Sequence, residues 1–374
     1  MGGAFISKDM GTTAPLLAPC LAFHQHAHPL GEPVDLRLLA GNHVTQLVNG
    51  AGQMGDLFFQ GLHFILHSCA TSYAASSCRS MAKTRRLEPN DVNELQGGTM
   101  SGIEDAKPLV EISQQDGVMT ITICRPQMRN AVNPATARAL YAAFLRFEAD
   151  ETAQTAVLTG EGGYFCSGFD LKAAGAGGSD EWLASLDLEA DWRDPVVDPR
   201  PGPMGPSRLM LSKPVIAAIE GPALAGGMEL AAWCNMRVMA EDAFAGVYCR
   251  RWGVPLIDGG TVRLPRILGQ GRANDLILTG RKLPAEEAYR IGFADRLSPS
   301  GEALDMAQAL AQELTRFPQA CMRADHLSAQ MPSQHLAEAL RREWRSAKTF
   351  LQEGRAGAQR FANGLGRAGD FSLI

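Results

Sequence analysis

Apolar and polar positions sort this chain into an unpatterned first hundred residues and a strongly patterned remainder. From Pro108 onward the periodicity sharpens. Residues 109–113 and 118–124 are β-branched-rich runs around Gln115, Asp116 and Gly117, which predicts a hairpin. Asn133 followed by Pro134 predicts a helix start, and the helix should run to about Ala149 with Leu140, Phe144 and Phe147 on one face. Residues 155–159 and 214–219 are short continuous apolar runs, the pattern of strands buried on both faces. A helix carrying Met228, Leu230, Ala231 and Trp233 follows Gly226, and residues 238–240 and 243–247 read as short strands. Helical patterns then occupy residues 259–268, 273–278, 285–291, 302–317, 319–329 and 334–352. Residues 173–208 are rich in Gly, Pro and Asp and include Trp182 and Trp192; so long an irregular stretch serves a functional surface or is mobile.

The division this suggests is an N-terminal extension of little order over residues 1–104, a core over 105–300 and a helical C-terminal region over 301–374. Within the extension, His24, His26 and His28 alternate, and His63 and His67 are four apart. That spacing suits a metal, but no Cys or carboxylate cluster completes a ligand set, so no metal site is expected. All the motifs follow Pro108, so the first hundred residues should be dispensable for the chemistry.

Composition narrows the function classes. The 374 residues carry a formal charge of −5, which argues against a sequence-independent nucleic-acid binder. No apolar run reaches the ~20 residues of a membrane-spanning helix. Eight cysteines without a Cys-x-x-Cys pair, mostly within apolar runs, fit reduced thiols and an intracellular location, cytoplasm or mitochondrial matrix. Residues 109–320 contain no histidine, which excludes a Ser-His-Asp triad built from this core.

Two strand-to-turn junctions carry the candidate chemistry, residues 158–172 (LTGEGGYFCSGFDLK) and 213–230 (KPVIAAIEGPALAGGMEL). Glycine at such a junction lets the backbone approach a ligand and leaves amides unpaired. Two such amides aimed at one point make an oxyanion hole. Neither junction has dinucleotide or phosphate-loop spacing. Glu229 lies one helical turn beyond Gly226 among apolar neighbours, where its pKa should rise towards the range of a general acid or base. A buried structural glutamate paired with a neighbour is the other reading.

The two junctions together resemble the paired signatures of the crotonase superfamily, the enoyl-CoA hydratase/isomerase family. The resemblance runs from about Pro108 to Leu297, continues through residues 259–264 (GGTVRL) and 278–280 (LTG), and excludes the first hundred residues. It implies an α/β fold, a spiral of ββα units followed by a helical region that builds trimers or hexamers. It implies an acyl-CoA thioester as substrate and no separate cofactor. The thioester oxygen would sit between the amides of Phe169 and Gly226. Phe169, Asp170, Leu171 and Lys172 would line the CoA pocket, with Arg125, Met128 and Ala131 beside the nucleotide end.

Glu229 falls on the family's first catalytic glutamate. The second falls on Cys249, a poor substitute for a carboxylate and readable as a neutral pocket-lining residue. Asp258 is either the missing acid or the cap of the helix opening at Gly259, and Arg250 and Arg251 either pair with an acid or are surface charges. The expected activity is enoyl-CoA hydration. Δ3,Δ2-enoyl-CoA isomerisation is the alternative, and a non-catalytic acyl-CoA-binding subunit the alternative of another class.

Overall fold

The computed structural model describes residues 107–348 and 351–365 of the chain. The expectations for residues 1–104, including both histidine groups, lie outside the described residues.

The described chain opens with the expected hairpin. β1 (Val110–Gln115) pairs antiparallel with β2 (Val118–Ile123), from Val110 opposite Ile123 to Gln115 opposite Val118. Asp116 and Gly117 both take positive φ, 50° and 83°, the turn that matches the twist of two flanking strands. α1 (Pro134–Ala149) starts where Asn133 accepts the Thr136 amide at 2.9 Å and proline supplies a preset φ. Its Leu140, Phe144 and Phe147 are fully buried, as the spacing requires.

The ββα theme then repeats. β3 (Thr155–Gly160) leads through a loop to α2 (Leu171–Gly175) and α3 (Asp180–Ser185). β4 (Val215–Ile219) and β5 (Pro222–Leu224) lead to α4 (Gly226–Trp233). β6 (Met236–Ala240) and β7 (Phe244–Gly246) lead to α5 (Gly260–Leu268). Then come α6 (Gln270–Thr279), β8 (Leu283–Pro284), α7 (Ala285–Ile291) and β9 (Arg296–Ser298).

The strands form a six-stranded sheet in the order β1-β2-β3-β4-β6-β9 and a small sheet in the order β5-β7-β8. From β2 to β9 the larger sheet is parallel. That explains the unbroken apolar runs: every residue of β4 and five of six in β3 are buried. Isolated parallel bridges, Val132 to Phe169 and Cys166 to Ala223, carry the spiral on through the two glycine junctions.

Three further helices complete the expected C-terminal set: α8 (Ala303–Thr315), α9 (Gln319–Ala329) and α10 (Ser333–Lys348). α8 packs across β2, β3, β4 and β6, while α10 packs on α5. α11 (Leu351–Ala362) lies beyond the last expected element and packs on α2 and on the 3-10 segment Tyr248–Trp252. The stretch 173–208 is a wall that packs Trp182, Leu186 and Met204 into the core and is stiffened by bonds within itself. Trp182 donates to the Pro203 carbonyl at 3.1 Å, Trp192 donates to the Asp198 carbonyl at 2.8 Å, and Arg208 is 1% exposed.

Candidate active site

A cleft of about 1010 Å³ opens where the two glycine junctions meet. The meeting depends on residues without side chains. A Cβ on Gly168 would lie 2.8 Å from the Leu224 carbonyl oxygen and 3.1 Å from the Gly226 nitrogen. One on Gly227 would lie 2.1 Å from the Cys166 carbonyl oxygen. The backbones of the two junctions are therefore in direct contact, which puts the segments bearing Phe169 and Gly226 side by side. Both residues line the cleft. Neither amide donates to an acceptor among the described residues, so two free N–H groups stand at this wall.

Ala225 sets the second of these amides. It has φ 52° and ψ −122°, a conformation that costs an L-residue about 1–3 kcal/mol. Its own amide is anchored on the Gly246 carbonyl at 2.8 Å. The strained residue ends β5 and starts α4, so the Gly226 N–H is the first of the helix and carries its positive dipole end.

Glu229 sits one turn along α4, 3% exposed, and lines the cleft. Its Oε1 accepts the amides of Asp258 and Gly260, each at 2.9 Å. Oε2 accepts no hydrogen bond among the described residues. Burial pushes the Glu229 carboxyl well above its ordinary 4.5, and the nearby Asp258 and Glu343 carboxylates push the same way. The two amide bonds oppose this and lose to desolvation.

Asp258 also lines the cleft and is 2% exposed. Its Oδ1 accepts the Met204 amide at 2.9 Å and the Ser207 hydroxyl. Burial raises its pKa from 3.8 to about 6, opposed by those two bonds and by the Arg208 guanidinium. The capping expectation for Asp258 is corrected here, because its side chain makes no bond to the start of α5. Gly259, at φ 87°, turns the chain so that Asp258 faces the 202–208 wall instead. The cap comes from Glu343 on α10, which accepts the Gly259 amide at 2.7 Å, the Thr261 amide at 2.9 Å and the Thr261 hydroxyl at 2.6 Å.

One buried and one half-buried cation, Arg208 and Arg263, balance these carboxylates. Arg208 donates to the carbonyls of Leu186 and Pro201 and stacks on the Trp344 ring at 4.6 Å. Desolvation lowers its pKa to about 10, so it stays charged at neutral pH. Arg263 donates to the carbonyls of Asp258 and Ser207 at 3.0 and 2.8 Å.

Met128, Ala131, Phe169, Asp170, Leu171 and Lys172 all line the cleft. Arg125 does not. Its side chain is 10% exposed, and its guanidinium pairs with Asp170 at 3.0 Å and donates to the Ala131 carbonyl. Asp170 in turn caps α2 by accepting the Ala173 amide at 3.2 Å. Arg125 thus braces the wall from behind. Cys249 lines the cleft, and burial, with help from the Glu229 carboxylate, raises its thiol well above the ordinary range. Arg251 lines the cleft as well and lies over the Tyr248 ring at 3.6 Å, while Arg250 donates to the Ile277 carbonyl at 3.1 Å. Neither arginine pairs with Glu229 or Asp258.

The sequence reading missed part of the cleft. Asp187 from the 173–208 segment, Trp344 from α10 and Arg355 and Phe361 from α11 all line it. Trp182 and Trp192 were the usable signal for the first, since two tryptophans in a polar stretch mark a segment that packs. Among the described residues no helix is long and apolar enough to cross a membrane.

Known proteins resemble this chain in sequence and fold. The family model for enoyl-CoA hydratase/isomerase matches residues 113–366. The chain is similar to enoyl-CoA hydratase EchA19 of Mycobacterium tuberculosis, 34% identical over 218 residues that cover 56% of this chain and 76% of the relative. It is similar to a carnitinyl-CoA dehydratase of Salmonella paratyphi A, 35% identical over 210 residues covering 55% and 74%. Among solved structures, a carnitinyl-CoA hydratase from Mycobacterium avium superposes with a TM-score of 0.58 at 28% identity, covering 69% of this chain and 97% of that one. The fold is the crotonase fold, and the chain belongs to the enoyl-CoA hydratase/isomerase family.

Proposed function

We propose that this protein is an enoyl-CoA hydratase that adds water across the 2,3-double bond of an acyl-CoA thioester, with Glu229 and Asp258 as its acid/base pair. The observation that carries the reading is the pairing of two free amides, Phe169 and Gly226, with two buried cleft carboxyls whose environments differ. The thioester oxygen accepts both amides, which stabilise the enolate charge that grows as water attacks C3. Asp258, with a pKa of about 6, is ionised at neutral pH and takes the proton of the attacking water. Glu229, whose carboxyl is pushed up by burial and by two neighbouring acids, is the group proposed to deliver a proton to C2. A proton passed from Asp258 to Glu229 resets the pair. Acid/base groups and amides suffice for this chemistry, so CoA enters only as part of the substrate.

Lys172 and the Met128–Ala131 segment are the proposed contacts of the CoA moiety, with Cys249 as a neutral wall. The free thiols at Cys124, Cys166, Cys234, Cys249 and Cys321 and the CoA ester itself support an intracellular reaction. Self-association as a trimer or hexamer is part of the proposal and rests on the family resemblance.

The test is hydration of crotonyl-CoA, followed as loss of the conjugated thioester absorbance, beside conversion of a 3-enoyl-CoA. Wild type should hydrate crotonyl-CoA. Glu229→Gln should lose about 10²–10⁴-fold in turnover while still binding the ester. Asp258→Asn should abolish hydration. A wild type that converts the 3-enoyl-CoA and leaves crotonyl-CoA untouched would replace the hydratase reading with an isomerase.

A further inference from the structure

We propose that Glu343 on α10 is a positioning residue for Glu229, clamping from behind the turn that holds the Glu229 carboxylate. The inference rests on the reading of Glu229 as an acid/base group. Four successive amides alternate between the two glutamates. Asp258 and Gly260 donate to Glu229 Oε1, both at 2.9 Å. Gly259 and Thr261 donate to Glu343, at 2.7 and 2.9 Å, and the Thr261 hydroxyl adds a third bond at 2.6 Å. The left-handed Gly259 makes this alternation geometrically available. Glu343 is 5% exposed, so its bonds are not shared with bulk water.

A turn held on one side only could rotate its peptide planes, and the oxygen they fix would move with them. A carboxylate held from both faces keeps its geometry within the tolerance that catalysis needs. The helix that carries Glu343 has its own anchors. Trp344 donates from Nε1 to Asp187 at 2.9 Å, and its ring packs against the Arg208 guanidinium. Changing the Glu343 head group therefore leaves α10 attached.

Only a carboxylate satisfies the turn. A carboxamide at 343 offers one acceptor oxygen and one NH₂, and the NH₂ would face an amide donor. An aspartate keeps both oxygens on a shorter stem. Charge is the second consequence. The groups facing Glu343 are Glu229 on α4, Asp258 in the turn, Arg208 from the 202–208 wall and Arg263 on α5. Removing the negative charge at 343 takes away one influence that favours the protonated forms of Glu229 and Asp258.

The experiment uses the full chain with Glu343→Gln and Glu343→Asp. Readouts are kcat and KM for crotonyl-CoA, Kd for butyryl-CoA, the pH profile of kcat/KM, and an infrared titration of the carboxyl band assigned by its loss in Glu229→Gln. Glu343→Gln should lower kcat about 10–10²-fold, with KM and the butyryl-CoA Kd unchanged. The acid limb of the profile and the Glu229 band should move to lower pH. Glu343→Asp should recover part of the kcat. Unchanged kcat with an unmoved Glu229 band overturns the proposal, as does a kcat loss matched by an equal loss of butyryl-CoA binding. The infrared arm needs no turnover. If wild type fails to hydrate crotonyl-CoA, a shifted band in Glu343→Gln still supports the clamp and assigns the failure to the hydratase reading. If Glu343→Gln does not fold, Glu343→Asp decides by the same readouts.

Discussion

The Gly260 amide donates to Glu229 Oε1 at 2.9 Å, and a Cβ on Gly260 would lie 2.8 Å from that same oxygen. The residue that holds the carboxylate leaves no room for anything but hydrogen at its α-carbon. Gly260→Ala should push Glu229 aside while leaving the amide wall intact. Turnover should fall on the order of 10²-fold, with acyl-CoA affinity retained. Steady-state kinetics alongside calorimetric binding of butyryl-CoA checks the split.

Asp258, the proposed base, carries a pH-dependent cost to stability. Its folded pKa is raised from 3.8 to about 6, so between those values the folded state binds more protons than the unfolded one. Stability then falls as pH rises through that window, and the full cost is present above about pH 6. Asp258→Asn keeps an oxygen that accepts from Met204 and Ser207 and carries no charge. The variant should melt above wild type at pH 8, with the gap closing below pH 6. Thermal melts of both proteins across that range decide it.

Ala225 holds a backbone conformation that suits glycine, φ 52° and ψ −122°. Ala225→Gly removes a strain of about 1–3 kcal/mol and adds about 0.5–1 kcal/mol of glycine entropy cost. The net effect should be a variant as stable as wild type or more stable, the reverse of most Ala→Gly changes. A lower midpoint in urea would contradict the strain assignment.

The resemblance implied a second glutamate at the position of Cys249, which lines the cleft, and burial keeps its thiol protonated. Cys249→Ala should keep most of the hydration rate, and alkylation by iodoacetamide at pH 7 should be slow. Rapid alkylation, or an inactive alanine variant, would give the thiol a direct role.

The legible part of this protein was local. The hairpin, the Asn133–Pro134 helix start and the buried runs of β3 and β4 each follow from a few adjacent residues. Glu229 was readable because its distance from Gly226 is one helical turn. Three-residue strands such as β5 and β9 were not, since three positions cannot display an alternation. Glu343 was hidden for a different reason. It lies beside Arg341, Arg342 and Arg345 on a helix rich in charge, and nothing in that neighbourhood separates a carboxylate buried against a distant turn from a solvated one. Asp258 before a Gly pair read equally as an acid or a cap, and only the left-handed Gly259 shows why its side chain leaves the helix it precedes.

The alternating grip on residues 258–261 also fixes an order of events. A ribosome emits β9, the last strand of the larger sheet, at Arg296–Ser298, well before Glu343. Every strand can therefore pair, and the two glycine junctions can meet, while the nascent chain still lacks the Glu343 half of the grip on that turn. On the proposed role of Glu343, the grip on that turn is completed only with α10, the same helix that brings Trp344 to the cleft.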